Sequence, residues 1–190
     1  MRTKDENKTK NIFRATLDLV QEIGIAGLTM ADIAREANIA TGTIYIYFKN
    51  KEVLLNELYC HLAKLPEDRI LKNIDEKDPV KTNLEKIWRN YLSHRVNYFD
   101  ESLFIEQYYY SPYITKEQKE SVDKIKTFSI NIMKRGQEEK IIDSSIDLEM
   151  IFWAITGFIR TLAYEHKESS YTLSEEKIDQ AFKLNWKMIV

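Results

Sequence analysis

Only five glycines and three prolines occur in 190 residues, and that scarcity limits the possible folds more than any other feature. Gly and Pro close tight turns and break regular elements, so a strand-rich fold with frequent reversals is out of reach. Long helices joined at few corners remain. The length suits one domain of ordinary size or two small ones. Hydrophobic residues make up 44% and charged residues 31%, which supports a packed core and is unlike a disordered or fibrous chain. With 28 basic and 30 acidic residues the net charge is −2, so coating nucleic acid as a polycation is excluded. The single Cys60 allows no intrachain disulfide and cannot alone build a thiolate metal site, which fits a reducing compartment. The opening MRTKDENKTK lacks an apolar signal core. The longest apolar run, residues 150–159, is about half of the ~20 residues needed to cross a bilayer. The expectation is a soluble, cytoplasmic chain with no membrane partner.

Helical periodicity runs through the chain. Ile12, Ala15, Leu19 and Ile23 recur at steps of three and four and place one apolar stripe on a first helix ending at Gly24. Thr29 and Asp32 form a capping-box pattern that opens a short second helix, with Ile33, Ala34 and Ala37 on its inner face. Asn38 follows, a residue that tolerates left-handed backbone angles. A very short third helix covers residues 41–48, and Asn50 caps a fourth over residues 51–65. Five longer helices complete the reading. They start at Asp78-Pro79, near Glu101, at Thr115 with Gln118, at Ser144 with Asp147, and at Thr172 with Glu175. The fold class is all-α, with about nine helices.

Residues 29–52 carry the most specific signal. Two short helices joined by a tight turn, the second opening on small polar residues, are the sequence form of a helix-turn-helix. On the third helix Ile44 and Phe48 share the core face. Gly42, Thr43, Ile46 and Tyr47 take the opposite face, with Tyr45 at the margin. Such an outward face is what a recognition helix needs, because its N-terminal residues meet base edges in the major groove. Thr41 and Thr43 offer hydroxyls and methyls there, and Gly42 admits a close approach. Tyr45 and Tyr47 can donate to phosphates, as can the Thr29 hydroxyl. Lys51, in the first turn of the fourth helix, can hold a phosphate together with the free amides.

The run Thr41-Gly42-Thr43-Ile44-Tyr45-Ile46-Tyr47-Phe48-Lys49-Asn50-Lys51-Glu52-Val53-Leu54-Leu55 resembles the signature of the TetR/AcrR family of bacterial transcriptional regulators. The upstream residues 27–37 look like that family's second helix, and the likeness is close over residues 12–58. Residues 136–142 are similar to the junction before the penultimate helix. Asn38 and Lys140 stand where the family usually has glycine; Asn38 suits the backbone, whereas Lys140 leaves the form of its turn open. The resemblance implies two parts. Residues 1–50 would be a three-helix DNA-binding domain and residues 51–190 a helical effector-binding and dimerisation domain, linked by the helix of residues 51–65. It also implies a ligand-responsive regulator, most often a repressor, that binds a pseudo-palindromic double-stranded DNA operator as a homodimer.

Charge gives this weak support: residues 1–65 hold nine basic against eight acidic side chains. The back half reads as a pocket and a dimer face. Nine aromatics lie in residues 88–113, including three consecutive tyrosines, whose hydroxyls each need a partner when buried. Rings with a few polar tips are what line small-molecule pockets. The expected lining is Trp88, Tyr91, Phe104, Tyr108, Phe128 and Trp153, for a small apolar or aromatic effector. Residues 150–159 are apolar all round, so their helix must be covered on more than one side. With the last helix it would form a two-fold four-helix interface through Trp153, Gly157, Phe182 and Trp186.

His61, His94 and His166 belong to no hydrolase or zinc motif, and no glycine-rich phosphate loop occurs. The chain is therefore read as no enzyme, with no cofactor and no metal. The alternative is a family-like adaptor that acts through protein contacts without binding DNA, and a third reading is a small-molecule carrier or enzyme.

Overall fold

A computed structural model describes residues 6–122 and 124–190. Every regular element among them is a helix: α1 (Glu6–Gly27), α2 (Met30–Glu36), α3 (Thr41–Tyr47), α4 (Lys51–Leu62), α5 (Leu65–Ile70), α6 (Val80–Asn97), α7 (Phe99–Tyr109), α8 (Lys116–Val122), α9 (Lys124–Glu138), α10 (Leu148–Lys167) and α11 (Glu175–Ile189). The helix expected from Thr115 onward corresponds to α8 and α9, between which residue 123 lies outside the described residues, as do residues 1–5. The short α5 falls where no helix was expected.

Two compact units emerge, and the first is discontinuous in sequence. It takes the chain up to Lys64 together with Asp100–Lys119. Ile12, Ala15, Leu19 and Val20 of α1 are buried, as are Ile33 and Ala34 of α2, Ile44 of α3, and Leu54, Leu55 and Leu58 of α4. Ile23 is half exposed, because the backbone leaves the helix at Gly24 (φ 70, ψ 165), an angle that glycine tolerates. The next amide, Ile25 N, would lack a carbonyl partner there, and the Gln107 side chain of α7 supplies the acceptor at 2.9 Å. The three tyrosines 108–110 divide by position. Tyr108 is fully buried and stacks on Tyr59 at 4.6 Å, Tyr109 is half-buried, and Tyr110 is exposed.

In the second unit (Leu65–Phe99 and Glu120–Val190) α6 is the central element. Its Val80 and Leu84 pack with Ile132 and Met133 of α9, Ile142, Ile151 of α10 and Ile189 of α11. One turn on, Trp88 and Leu92 pack with Ile159, Ala163, Ala181 and Phe182. The Trp88 indole N–H donates to Asn185 Oδ1 at 2.8 Å, so the buried polar tip is satisfied.

Helix ends follow local chemistry, with three corrections. Thr115 and Gln118 bond reciprocally, amide to side chain at 2.9 and 3.3 Å, as a capping box requires. Before α6, however, Pro79 occupies the cap position and Asp78 instead accepts from Lys86 Nζ at 2.7 Å. α10 is capped by Asp147 rather than Ser144, and α11 by Ser174 rather than Thr172. Lys140 adopts φ 59, so the turn keeps the left-handed form without glycine. The Ile141 amide reaches the Gly136 carbonyl at 2.9 Å and the Lys140 amide reaches Gln137 at 3.0 Å, closing a Schellman motif. Gly136 itself is required by packing, since a Cβ there would lie 2.7 Å from Ile142 Cδ1 and 3.0 Å from Val80 Cγ1.

His94, near the end of α6, is buried with its ring 5.6 Å from that of Tyr98. Burial, and then the charges of Arg69 and Arg95, push its pKa from 6.5 down to about 4. The unfolded chain accepts a proton near the ordinary value that the folded chain refuses until about pH 4, so stability is complete above that window and falls as pH drops through it. His94→Gln is expected to flatten the acid limb of the stability profile by on the order of 2–3 kcal/mol, read from denaturant unfolding at stepped pH. An unchanged limb would mean that the folded state protonates the ring as easily as the unfolded one does.

Candidate nucleic-acid interface

The Thr29 hydroxyl caps α2, accepting from Asp32 N at 3.1 Å and donating to the Asp32 carboxylate at 2.5 Å. That bond, followed by the charge of Arg35 2.8 Å away, holds the Asp32 carboxyl below its usual range. The turn to α3 is closed by Asn38 at φ 53, as the sequence suggested. The Ile39 amide bonds to Ala34 O at 2.9 Å and the Asn38 amide to Arg35 O at 3.1 Å, a second Schellman closure.

α3 is seven residues long and has no side-chain cap bond at its start. Burial of Ile44 and Phe48, neither with measurable exposure, fixes its rotation. Phe13 of α1 backs Phe48 with ring centroids 5.7 Å apart. The opposite face is open. Thr41 and Gly42 are exposed, Tyr45 is 53% and Ile46 74% exposed, and Thr43 and Tyr47 are half-buried. Tyr45 thus belongs to the outward face rather than its margin. A Cβ added to Gly42 would meet nothing within 4 Å. A short helix presenting such a face beside a capped partner helix has the form that enters a major groove.

Lys51 is more engaged than its sequence position suggests. Its ammonium donates to Leu28 O at 2.8 Å and Ala26 O at 3.4 Å, satisfying carbonyls at the end of α1 and in the loop after it, and burial lowers its pKa. An ammonium has three hydrogens, so one is left over after these two carbonyls. Asn50 caps α4 by accepting from Val53 N at 2.9 Å. Sequence reasoning missed the Lys51 contacts, which join residues 23 and 25 positions apart. It had placed Ile46 outward without giving it a role.

The remaining expected site residues are scattered. Trp88, Tyr91, Phe128 and Trp153 fall in the second unit, Phe104 and Tyr108 in the first. Trp88, Phe104 and Tyr108 are buried side chains of their own units, and Trp153 stands 55% exposed on the surface. Phe182 is buried with its ring 5.8 Å from Trp88, so it fills the subunit's own core instead of an exposed face. Trp186 is half-buried beside it. Gly157 is partly open, the nearest atom to a Cβ there being Arg160 Nη2 at 4.0 Å. Among the described residues no group of three or more His, Cys, Asp or Glu side chains could hold a metal ion. No described helix is long and apolar enough to cross a membrane.

These features define a helix-turn-helix unit accompanied by a second, all-helical unit. Residues 12–58 match the family model for bacterial regulatory proteins of the tetR family. An uncharacterised HTH-type transcriptional regulator of Haemophilus influenzae is 36% identical over 90 residues, covering 47% of this chain and 48% of that protein. The match thus spans about half the length of that relative. The fatty acid metabolism regulator protein of Bacillus subtilis is 26% identical over 162 residues, covering 81% and 82%. A TetR family transcription regulator from Marinobacter aquaeolei VT8 shares the fold, with a TM-score of 0.79 and 20% identity over 100% of this chain and 98% of that one. The match to the tetR family model thus lies within residues 12–58, and the likeness to the Marinobacter structure extends the shared helical fold over the whole chain.

Lys51→Met keeps the apolar stem and removes the donors to Ala26 and Leu28. It is expected to lower stability by about 1 kcal/mol, since these bonds are partly solvated. An unchanged unfolding midpoint would show that water replaces the ammonium without loss.

Proposed function

We propose that the chain is a cytoplasmic, ligand-responsive repressor. It binds a pseudo-palindromic DNA operator as a homodimer and is released by a small apolar or aromatic molecule. The outward face of α3, set by the burial of Ile44 and Phe48, is the observation that carries the DNA-binding part. Residues 1–50 read the operator, with Thr41, Gly42, Thr43 and Tyr45 toward base edges and Thr29, Tyr47 and Lys51 toward phosphates. The helices beyond residue 50 take the effector and the partner subunit.

Exposed apolar side chains support the dimer. Met150, Trp153 and Tyr164 of α10, with Leu184 and Met188 of α11, are each at least 45% exposed. Met150, Trp153, Gly157, Thr161 and Tyr164 follow helical spacing along one side of α10. Trp153 and Gly157 belong to this face, and Trp186 is half-buried on α11. Phe182 supports it from within. For the effector, Tyr91 and Phe158 are partly open where they pack on the Trp88 core. An apolar ligand also suits the likeness to a regulator of fatty acid metabolism.

Selection of bound duplexes from a random DNA pool tests the DNA-binding part: enriched sequences should contain two half-sites roughly 34–36 Å apart or a multiple of that. Affinity for the selected site should fall steeply with salt, and Lys51→Met should weaken binding to all sequences and reduce the salt slope by about one unit per lost phosphate contact. An unaltered slope removes Lys51 from the phosphate contacts.

Gly157→Leu tests the dimer. Within the subunit a Cβ at Gly157 would meet nothing nearer than Arg160 Nη2 at 4.0 Å, whereas a helix paired against Gly157 would meet the added side chain. Light scattering should show monomers where the wild type is dimeric, and operator affinity should fall with it. A monomeric variant with undiminished operator affinity would contradict the paired-helix arrangement.

A further inference from the structure

The chemistry of the exposed α3 face also indicates which base feature it reads; this step rests on the DNA-binding reading. Thr41, Gly42, Tyr45 and Ile46 are exposed, with Thr43 and Tyr47 half-buried beside them. None of these is Arg, Lys, Asn or Gln, so α3 has no side chain for bidentate recognition of guanine or adenine. Hydroxyls of Thr and Tyr accept or donate to several base edges and discriminate weakly. On the floor of the major groove the one apolar group is the thymine 5-methyl.

Ile46 matches that group. It is the most exposed large apolar side chain on α3, at 74%. It follows Gly42 by four residues, about one turn, on the side opposite Ile44 and Phe48. Gly42 adds no Cβ to this line, and beyond its own helix backbone and chain neighbours nothing lies within 4 Å of where one would stand. A duplex edge can therefore come close enough for the Ile46 side chain to reach the groove floor. The nearby basic side chains do not take over base reading. Arg35 sits on α2 in an ion pair with Asp32 at 2.8 Å, and Lys51 serves the Leu28 carbonyl.

We infer that Ile46 is a specificity-determining residue that reads a thymine methyl in each operator half-site, with Gly42 giving the groove its close approach. Burying one methyl contributes about 0.8 kcal/mol, equivalent to about a fourfold change in affinity.

The test uses the full chain and a duplex selected from a random pool. Each thymine of the selected site is replaced in turn by deoxyuridine, which keeps every hydrogen-bonding group and lacks only the methyl. Affinity is measured for the wild type and for Ile46→Ala, whose exposed position leaves the core intact, as circular dichroism should confirm. The expected result is about fourfold weaker wild-type binding at one thymine or more per half-site, and equal affinity of Ile46→Ala for the thymine and uracil forms at that position. Indifference of the wild type to every replacement overturns the inference while leaving DNA binding in place. So does an Ile46→Ala protein that still discriminates at every sensitive thymine. A pool that yields no enriched sequence overturns both this inference and the DNA-binding reading.

Discussion

A seven-residue helix has no stability of its own, because the first hydrogen-bonded turn costs more conformational entropy than it returns. α3 exists because Ile44 and Phe48 are buried, and every property of its outer face follows from that anchoring. The ring of Phe13 meets that of Phe48 at 5.7 Å and that of His61 at 5.6 Å, so α1 supports α3 and the end of α4 together. A slip of one residue would rotate α3 by roughly 100°, carrying Tyr45 inward and exposing a core residue. The bulk of Phe48 and the branched shape of Ile44 oppose such a slip, since close-packed interiors do not absorb side chains of the wrong shape cheaply. The outward placement of Gly42 and Ile46 is thus the complement of a packing decision.

Features encoded within four residues were legible in the sequence. The caps at Thr29, Asn50 and Thr115 and the left-handed Asn38 all rest on contacts between near neighbours. Where several cap-competent residues crowd together, local chemistry alone does not choose. Ser144, Ser145 and Asp147 precede α10, and Thr172 and Ser174 precede α11. In each case the residue immediately before the first helical position takes the role. Lys140 shows the opposite case: the absence of glycine left the turn open, yet the chain accepts φ 59 because two backbone bonds to Gln137 and Gly136 are gained there. α5 was missed because LPEDRI, six residues with a proline near its start, carries too little periodicity to register.

Long-range placement was less legible. The aromatics of residues 88–113 are dense in sequence and were read as the lining of one pocket. The chain passes from the second unit to the first at Phe99–Asp100, in the middle of that run. Trp88 consequently packs with Phe182 and Asn185, whereas Tyr108 stacks on Tyr59 and donates to the Tyr113 carbonyl at 3.2 Å. Density of one residue type does not reveal which side chains share a core. The same blindness hid the partners of Lys51, whose carbonyls belong to the end of α1 and the loop after it. Trp153 and Phe182 lie on helices with strong apolar patterning, and periodicity alone could not say which apolar positions face the chain's own core.

The discontinuity of the first unit has a mechanical consequence. Gly24 interrupts α1, and the amide of Ile25 is satisfied by Gln107, 82 residues away. A buried amide without an acceptor costs more than an ordinary hydrogen bond contributes, so this contact makes the position of α7 a condition for the geometry at the end of α1. Lys51 then ties the first turn of α4 to the same region through Ala26 and Leu28. Farther along α4, Asn56 receives the Gln118 amide at 2.6 Å and Tyr59 donates to the Gln118 carbonyl at 3.1 Å. The segment Asp100–Lys119 therefore grips both α1, whose Phe13 backs Phe48 at the end of α3, and α4. A small displacement of that segment cannot be absorbed at one contact, because the Gln107 and Gln118 bonds are directional and act at separate points. Any displacement of residues 100–119 would act on the helix-turn-helix unit from inside it, without needing a separate relay.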